Sequence, residues 1–170
     1  MNINNNDILI RLRYALDIKN TEMVEIFKLG GIELSKEEVL KVLTKSLNHD
    51  DVEEGIEEDE HHIPCDDEMF ESFLNGFITF KRGRREPSHG QSERPVLTYE
   101  HVNNLLLKKV KIALSLTSED MIEILDLADV HITKGELGAI LRREGHKNYR
   151  VCGDRYARNF LKGLAIKYRG

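Results

Sequence analysis

Residues 5–45 read NNDILIRLRYALDIKNTEMVEIFKLGGIELSKEEVLKVLTK, and residues 103–143 read NNLLLKKVKIALSLTSEDMIEILDLADVHITKGELGAILRR. Displaced by 98 positions, the two stretches lie on each other without a gap. Asn5-Asn6 falls on Asn103-Asn104, Ala15-Leu16 on Ala113-Leu114, Met23 on Met121, and Glu25-Ile26 on Glu123-Ile124. Leu29 meets Leu127, Lys36 meets Lys134, Glu38 meets Glu136 and Leu43 meets Leu141. Further on the displacement becomes 87: Cys65 meets Cys152, Asp67 meets Asp154, Phe73-Leu74 meets Phe160-Leu161, Gly76 meets Gly163, and Arg82-Gly83 meets Arg169-Gly170. The chain is one blueprint written twice, with 11 extra residues in the first copy.

Each copy has the period of helices. Ile8, Leu9, Leu12, Ala15 and Leu16 form one apolar stripe, and Leu106, Leu107, Val110, Ala113 and Leu114 repeat it. Asn5 or Asn6 is expected to cap that first helix. A second helix is predicted over roughly Thr21 to Leu29, ended by Gly30-Gly31. Ser35 with Glu38, and Thr133 with Glu136, have the spacing of capping boxes at the start of a third helix, which presents Val39, Leu40, Val42, Leu43 and Leu47. Asp67 and Asp154 are expected to cap a fourth. Its buried side is Phe70, Phe73, Leu74, Phe77 and Ile78 in copy one, and Phe160, Leu161, Leu164, Ala165 and Tyr168 in copy two. The predicted fold is all-α: two tandem four-helix modules over 1–83 and 96–170, joined by a flexible linker over 84–95.

That linker carries two of the three prolines and no apolar side chain, so it has nothing to bury. The extra residues of copy one lie in the segment 50–62, where Asp50 to Glu60 brings eight carboxylates together in what reads as a solvated loop. Charge divides along the same line. Residues 1–83 hold 9 Lys+Arg against 19 Asp+Glu, and residues 84–170 hold 16 against 11, within a chain of net charge −5. Opposite halves attract over a Debye length of about 8 Å, so the halves are expected to associate within one molecule or across a dimer. No apolar run approaches the ~20 residues of a membrane-spanning helix, and the opening residues lack the pattern of a secretory signal. With two cysteines, a disulfide scaffold is excluded and a cytoplasmic location is expected.

Several runs carry a resemblance. They are Asn5-Asn6-Asp7-Ile8-Leu9, the steps Cys65-Asp66-Asp67 and Cys152-Gly153-Asp154, and Phe73-Leu74-Asn75-Gly76 before Arg82-Gly83. Asn103-Asn104 before Leu107-Lys108-Lys109, and His146-Lys147-Asn148-Tyr149-Arg150, belong with them. Together they resemble the bacterial YehS-like family, a tandem domain of unknown function. The resemblance implies a small bacterial cytoplasmic helical protein and supplies no catalytic residues. The acidic insertion near Asp50 to Glu60 departs from the compact loop expected there.

The helix, turn and capped helix over Thr21 to Leu47 and Ser118 to Arg143 have helix-turn-helix spacing, and copy two offers Lys134, Arg142, Arg143, His146 and Lys147 to phosphates. Copy one opens the same helix with Lys36-Glu37-Glu38, which repels DNA. His61, His62 and Cys65 are too few for zinc unless Cys152 or His146 joins them, and the carboxylate run lacks a calcium-loop pattern. Cys65 and Cys152 each precede a predicted helix start, where a thiol can be activated. The copies repeat Cys and Asp without the histidines, however, which favours a small apolar plug beside a cap. No metal, cofactor or catalytic constellation is expected. Asn5, Asn6, Asn103 and Asn104 are either a partner site present twice or hydrogen bonds between the first helix and a neighbouring loop. A non-enzymatic module that binds a macromolecule or itself is the leading expectation, and nucleic-acid binding through copy two is the alternative. A small-molecule ligand is left open.

Overall fold

The structure, a computed structural model, describes residues 4–44, 62–83, 97–98 and 100–169. Eight helices stand in these residues, and no strand does. Copy one supplies α1 (Asn5–Ala15), α2 (Asn20–Leu29), α3 (Lys36–Val42) and α4 (Asp67–Arg82). Copy two supplies α5 (Val102–Ala113), α6 (Ser118–Leu127), α7 (Lys134–Leu141) and α8 (Asp154–Arg169). The linker 84–95 and the acidic loop, apart from His62, lie outside the described residues.

The capping boxes of α3 and α7 form as spaced: Ser35 Oγ accepts from Glu38 N at 3.1 Å and Thr133 Oγ1 from Glu136 N at 3.1 Å. In return the Glu38 and Glu136 carboxylates accept from the backbone N–H of Ser35 and Thr133. These bonds favour the ionised form and hold both carboxyls below the usual range. Thr117 and Asp120 make the same box at α6. Two cap assignments shift by one residue. Asn4, not Asn5 or Asn6, caps α1 by accepting from Asp7 N at 2.8 Å. Asp66, not Asp67, caps α4 by accepting from Met69 N at 2.8 Å. The displaced Asn5, which is buried, and Asp67, which is exposed, instead bond each other.

Apolar stripes bury as the periods require. Ile8, Leu9, Leu12, Phe70, Phe73, Leu74 and Phe77 are fully enclosed, as are Leu106, Leu107, Val110, Phe160 and Leu164. Each such side chain contributes about 1.5–3 kcal/mol. Leu40 and Tyr168 differ from expectation: both lie exposed, at the outer edge of α3 and the last turn of α8. Within each copy two helices cross with backbones almost touching. A Cβ added at Gly76 in α4 would run into Ile26 O of α2, and one at Gly163 in α8 would run into Ile124 O of α6. These glycines are matched in the repeat, as are the two isoleucines.

Copies are not separate globules. α4 packs along α5 and α8 packs along α1, so each copy's last helix lies on the other copy's first. Buried residues of both copies form one continuous core. Arg82 at the end of α4 donates to Ile112 O at 3.2 Å and Ser115 Oγ at 3.0 Å. Arg169 at the end of α8 donates to Tyr14 O at 3.0 Å and Asp17 Oδ1 at 3.3 Å, with its guanidinium 4.2 Å from the Tyr14 ring centre. Tyr14 and Asp17 are the counterparts of Ile112 and Ser115, so a pseudo-two-fold relation joins the copies. Each arginine meets carbonyls at a helix C-terminus, where cations are favoured.

Candidate interaction surface

The duplicated asparagines begin α1 and α5 and point inward. Asn5 Nδ2 donates to Cys65 O at 3.1 Å and Asp67 Oδ1 at 2.9 Å, and Asn103 Nδ2 donates to Cys152 O at 3.1 Å and Asp154 Oδ1 at 2.8 Å. Asn6 Nδ2 donates to Val42 O and Ile63 O, both at 2.8 Å, while its Oδ1 accepts from Cys65 N at 2.9 Å. Asn104 repeats this with Ile140 O, Arg150 O and Cys152 N at 3.0, 2.9 and 2.8 Å. One carboxamide thus ties the first helix, the end of the third and the approach to the fourth. All four asparagines are buried, and of the two readings offered for them these bonds match the one that ties the first helix to a neighbouring loop.

The cysteines sit in the same clamps. Cys65 and Cys152 are buried free thiols. Burial pushes both up to about 12, with Asp66 and Asp67 adding to this at Cys65 and Asp154 at Cys152. A thiol so protonated at neutral pH is a poor nucleophile. Asp67 and Asp154 accept from the asparagines, and among the described residues no three metal-binding side chains gather. A shallow groove of about 340 Å³ lies between α1, α2 and α3, lined by Ile10, Arg13, Asn20, Leu40, Leu43 and Thr44. Arg13, the ionisable group there, donates to Asn20 Oδ1 at 2.8 Å. Nothing in this lining pairs an acid with a base.

Cations of copy two lie outside. Arg142 and Arg143 leave the C-terminal end of α7, and His146 and Lys147 follow in the turns toward α8, all exposed. Glu100 anchors this connection by accepting from Glu144 N at 3.0 Å and Lys108 Nζ at 2.9 Å. Lys134 stands apart at the opposite end of α7, bonded to Glu119 at 3.2 Å. The structure therefore gathers Arg142, Arg143, His146 and Lys147 and leaves Lys134 out. The sequence reading missed a second group, Arg11 on α1 with Arg155, Arg158 and Lys162 on α8. Its signal was available in the spacing: positions 155, 158 and 162 follow i, i+3, i+7 on one helix face.

No helix among the described residues is long and apolar enough to cross a membrane. The chain is 37% identical to the "Uncharacterized protein YehS" of Escherichia coli (strain K12), over 95% of its own length and 94% of that protein's. No solved structure matches it. A family described as "Protein of unknown function (DUF1456)" matches residues 5–83 and 103–170. These two segments hold the helices of the two copies, each with its asparagine clamp, and the chain belongs to this DUF1456 family.

Proposed function

We propose that this chain is a non-enzymatic module that binds another macromolecule through the cationic surface of its second copy. One observation carries the reading. The asparagines and terminal arginines duplicated between the copies are engaged as clamps and ties, whereas Arg142, Arg143, His146 and Lys147 are exposed on the connection 142–150. Exposed long side chains of one sign steer partners and set association rates. Affinity capture with the full chain tests this, with an Arg142→Glu/Arg143→Glu/Lys147→Glu variant as comparison and circular dichroism to verify its fold. Material retained by the native chain and lost by the variant is the expected result. Equal retention by both, or none by either, overturns it.

A second reading, nucleic-acid binding, draws on α6 and α7, which meet across a short turn with Arg142 and Arg143 at the far end of α7. Against it stand the Lys134–Glu119 pair and the acidic start of α3. A duplex titrated at several salt concentrations separates the readings. Binding that weakens steeply and log-linearly with salt favours nucleic acid.

A further inference from the structure

The two-fold relation makes the α4–α5 seam and the α8–α1 seam equivalent, and their surfaces differ in one informative way. At the first seam the chain's own approach to α5 lies against α4. Thr98 donates to Glu71 Oε2 from its backbone N–H at 2.8 Å and from its hydroxyl at 2.9 Å. Glu71 and Asn75 are buried there, and Lys109 of α5 lies within the fields of Glu71 and Glu100. Thr98, on the chain's own approach to α5, thus sits on the α4 face.

At the second seam the same positions are cationic. Arg158 stands where α4 has Glu71, Lys162 where it has Asn75, Arg155 where it has Glu68, and Arg11 where α5 has Lys109. Arg158 is half-buried, and Arg11, Arg155 and Lys162 are exposed. None of these four side chains makes an ion pair or hydrogen bond among the described residues. Asp7 lies one turn before Arg11 on α1, and Asp154 beside Arg155 is committed to Asn103. Like charges gathered at a seam repel unless an anion lies between them.

We propose that the α8–α1 seam seats an extended acidic segment of a partner protein, in the place that the approach to α5 takes on the α4–α5 seam. The proposal rests on the reading of the chain as a binding module and adds a second surface, apart from the connection 142–150, with the class of partner that it takes. Polypeptide rather than nucleic acid is favoured because the related seam already holds a polypeptide. The exchange of Glu71 for Arg158 reverses the sense of the bond: Thr98 donates at the first seam, so the occupant of the second must accept. Guanidinium groups do this best with carboxylates, two bonds at a time. Spacing narrows the motif. Arg158 and Lys162 are four residues apart on a helix, about 6 Å along its axis. Alternate residues of an extended chain are separated by about 6.6 Å. Carboxylates at every second position therefore match the seam.

The test uses the full chain and a fluorescent peptide with glutamates at three alternate positions, beside the same peptide with glutamines. Anisotropy at low salt is expected to show binding of the glutamate peptide alone. Arg158→Ala/Lys162→Ala is expected to weaken it at least about tenfold, with an unchanged melting temperature. Arg142→Ala/Arg143→Ala is expected to leave it unaltered. Failure of the glutamate peptide to bind, equal binding of the glutamine peptide, or loss at Arg142/Arg143 instead of Arg158/Lys162 overturns the proposal. Competition by a DNA duplex that displaces the peptide and binds more tightly through the same two residues overturns it in favour of nucleic acid. If capture by the connection 142–150 persists while the peptide fails, the seam proposal falls and the binding-module reading stands.

Discussion

A single carboxamide at Asn104 satisfies three backbone groups, with both Nδ2 protons and Oδ1 engaged in a site closed to water. Truncation to alanine leaves two carbonyls and one N–H without partners, and each orphaned group costs about 1–3 kcal/mol. Part of that loss is recovered by local rearrangement, so Asn104→Ala is expected to lower stability by about 3 kcal/mol, read from the urea midpoint. Asn104→Asp is nearly isosteric but supplies no donor and faces two carbonyls with a charge, so it is expected to be at least as damaging at neutral pH. A loss below about 0.5 kcal/mol in both variants would remove the clamp from the account. How much of this was legible depends on the residue. Duplication of Asn5-Asn6 flagged the positions, and one of the two readings weighed, bonds from the first helix to a neighbouring loop, describes what they do. Assignment of the cap to Asn5 or Asn6 failed because Asn4 offers the same side-chain chemistry one position earlier. Only the direction in which each side chain points decides among three consecutive asparagines.

Helices were the most readable scale, since stripes such as Ile8, Leu9, Leu12 and Ala15 state both period and buried face. The crossings between helices were not readable in the same way. Gly76 and Gly163 were visible as matched residues, yet nothing in a one-dimensional pattern says that a glycine inside a helix marks where another backbone arrives. The structure supplies the reason: each Cβ position is already occupied by the carbonyl of the matched isoleucine on the preceding long helix. In an ordinary exposed helix, alanine would be favoured over glycine by about 1 kcal/mol. Here the sign is expected to reverse. Gly163→Ala must spread α6 from α8 or displace Ile124, a backbone movement rather than a side-chain adjustment, and is expected to destabilise by about 2 kcal/mol or more. Gly76→Ala should behave likewise. At Gly135 and Gly138, both within α7, nothing stands within reach of an added Cβ, so alanine there serves as the control for general helix effects. Thermal melts of the four variants decide it, and equal melting temperatures for Gly163→Ala and Gly138→Ala would contradict the close crossing.

For the whole molecule, the acidic and basic halves were expected to attract each other by charge, and charge is not what the seams mainly consist of. α4 lies along α5 and α8 along α1 with their apolar stripes in one shared core, while Arg82 and Arg169 fasten the ends through helix carbonyls. Composition alone could not separate these causes, because net charge counts residues without saying which faces meet. Nor did the turns at Asp17 and Ser115 announce themselves: both adopt positive φ (52° and 55°) without glycine, and both receive an arginine from the opposite copy. The two causes predict different salt responses. Fragments 1–83 and 97–170 produced separately each lack the helix that covers one face of their own, α5 over α4 and α1 over α8. Each is therefore expected to be loosened alone and to regain native helicity on mixing. At 1 M salt the Debye length falls to about 3 Å, which suppresses attraction between surface charges but strengthens or leaves intact the burial of apolar area. The reconstituted pair is expected to survive gel filtration at that ionic strength with little change in affinity. Dissociation on adding salt would assign the union to the charge difference instead, and two fully folded fragments with no affinity at any salt would mean that the shared core is not needed for either copy to stand.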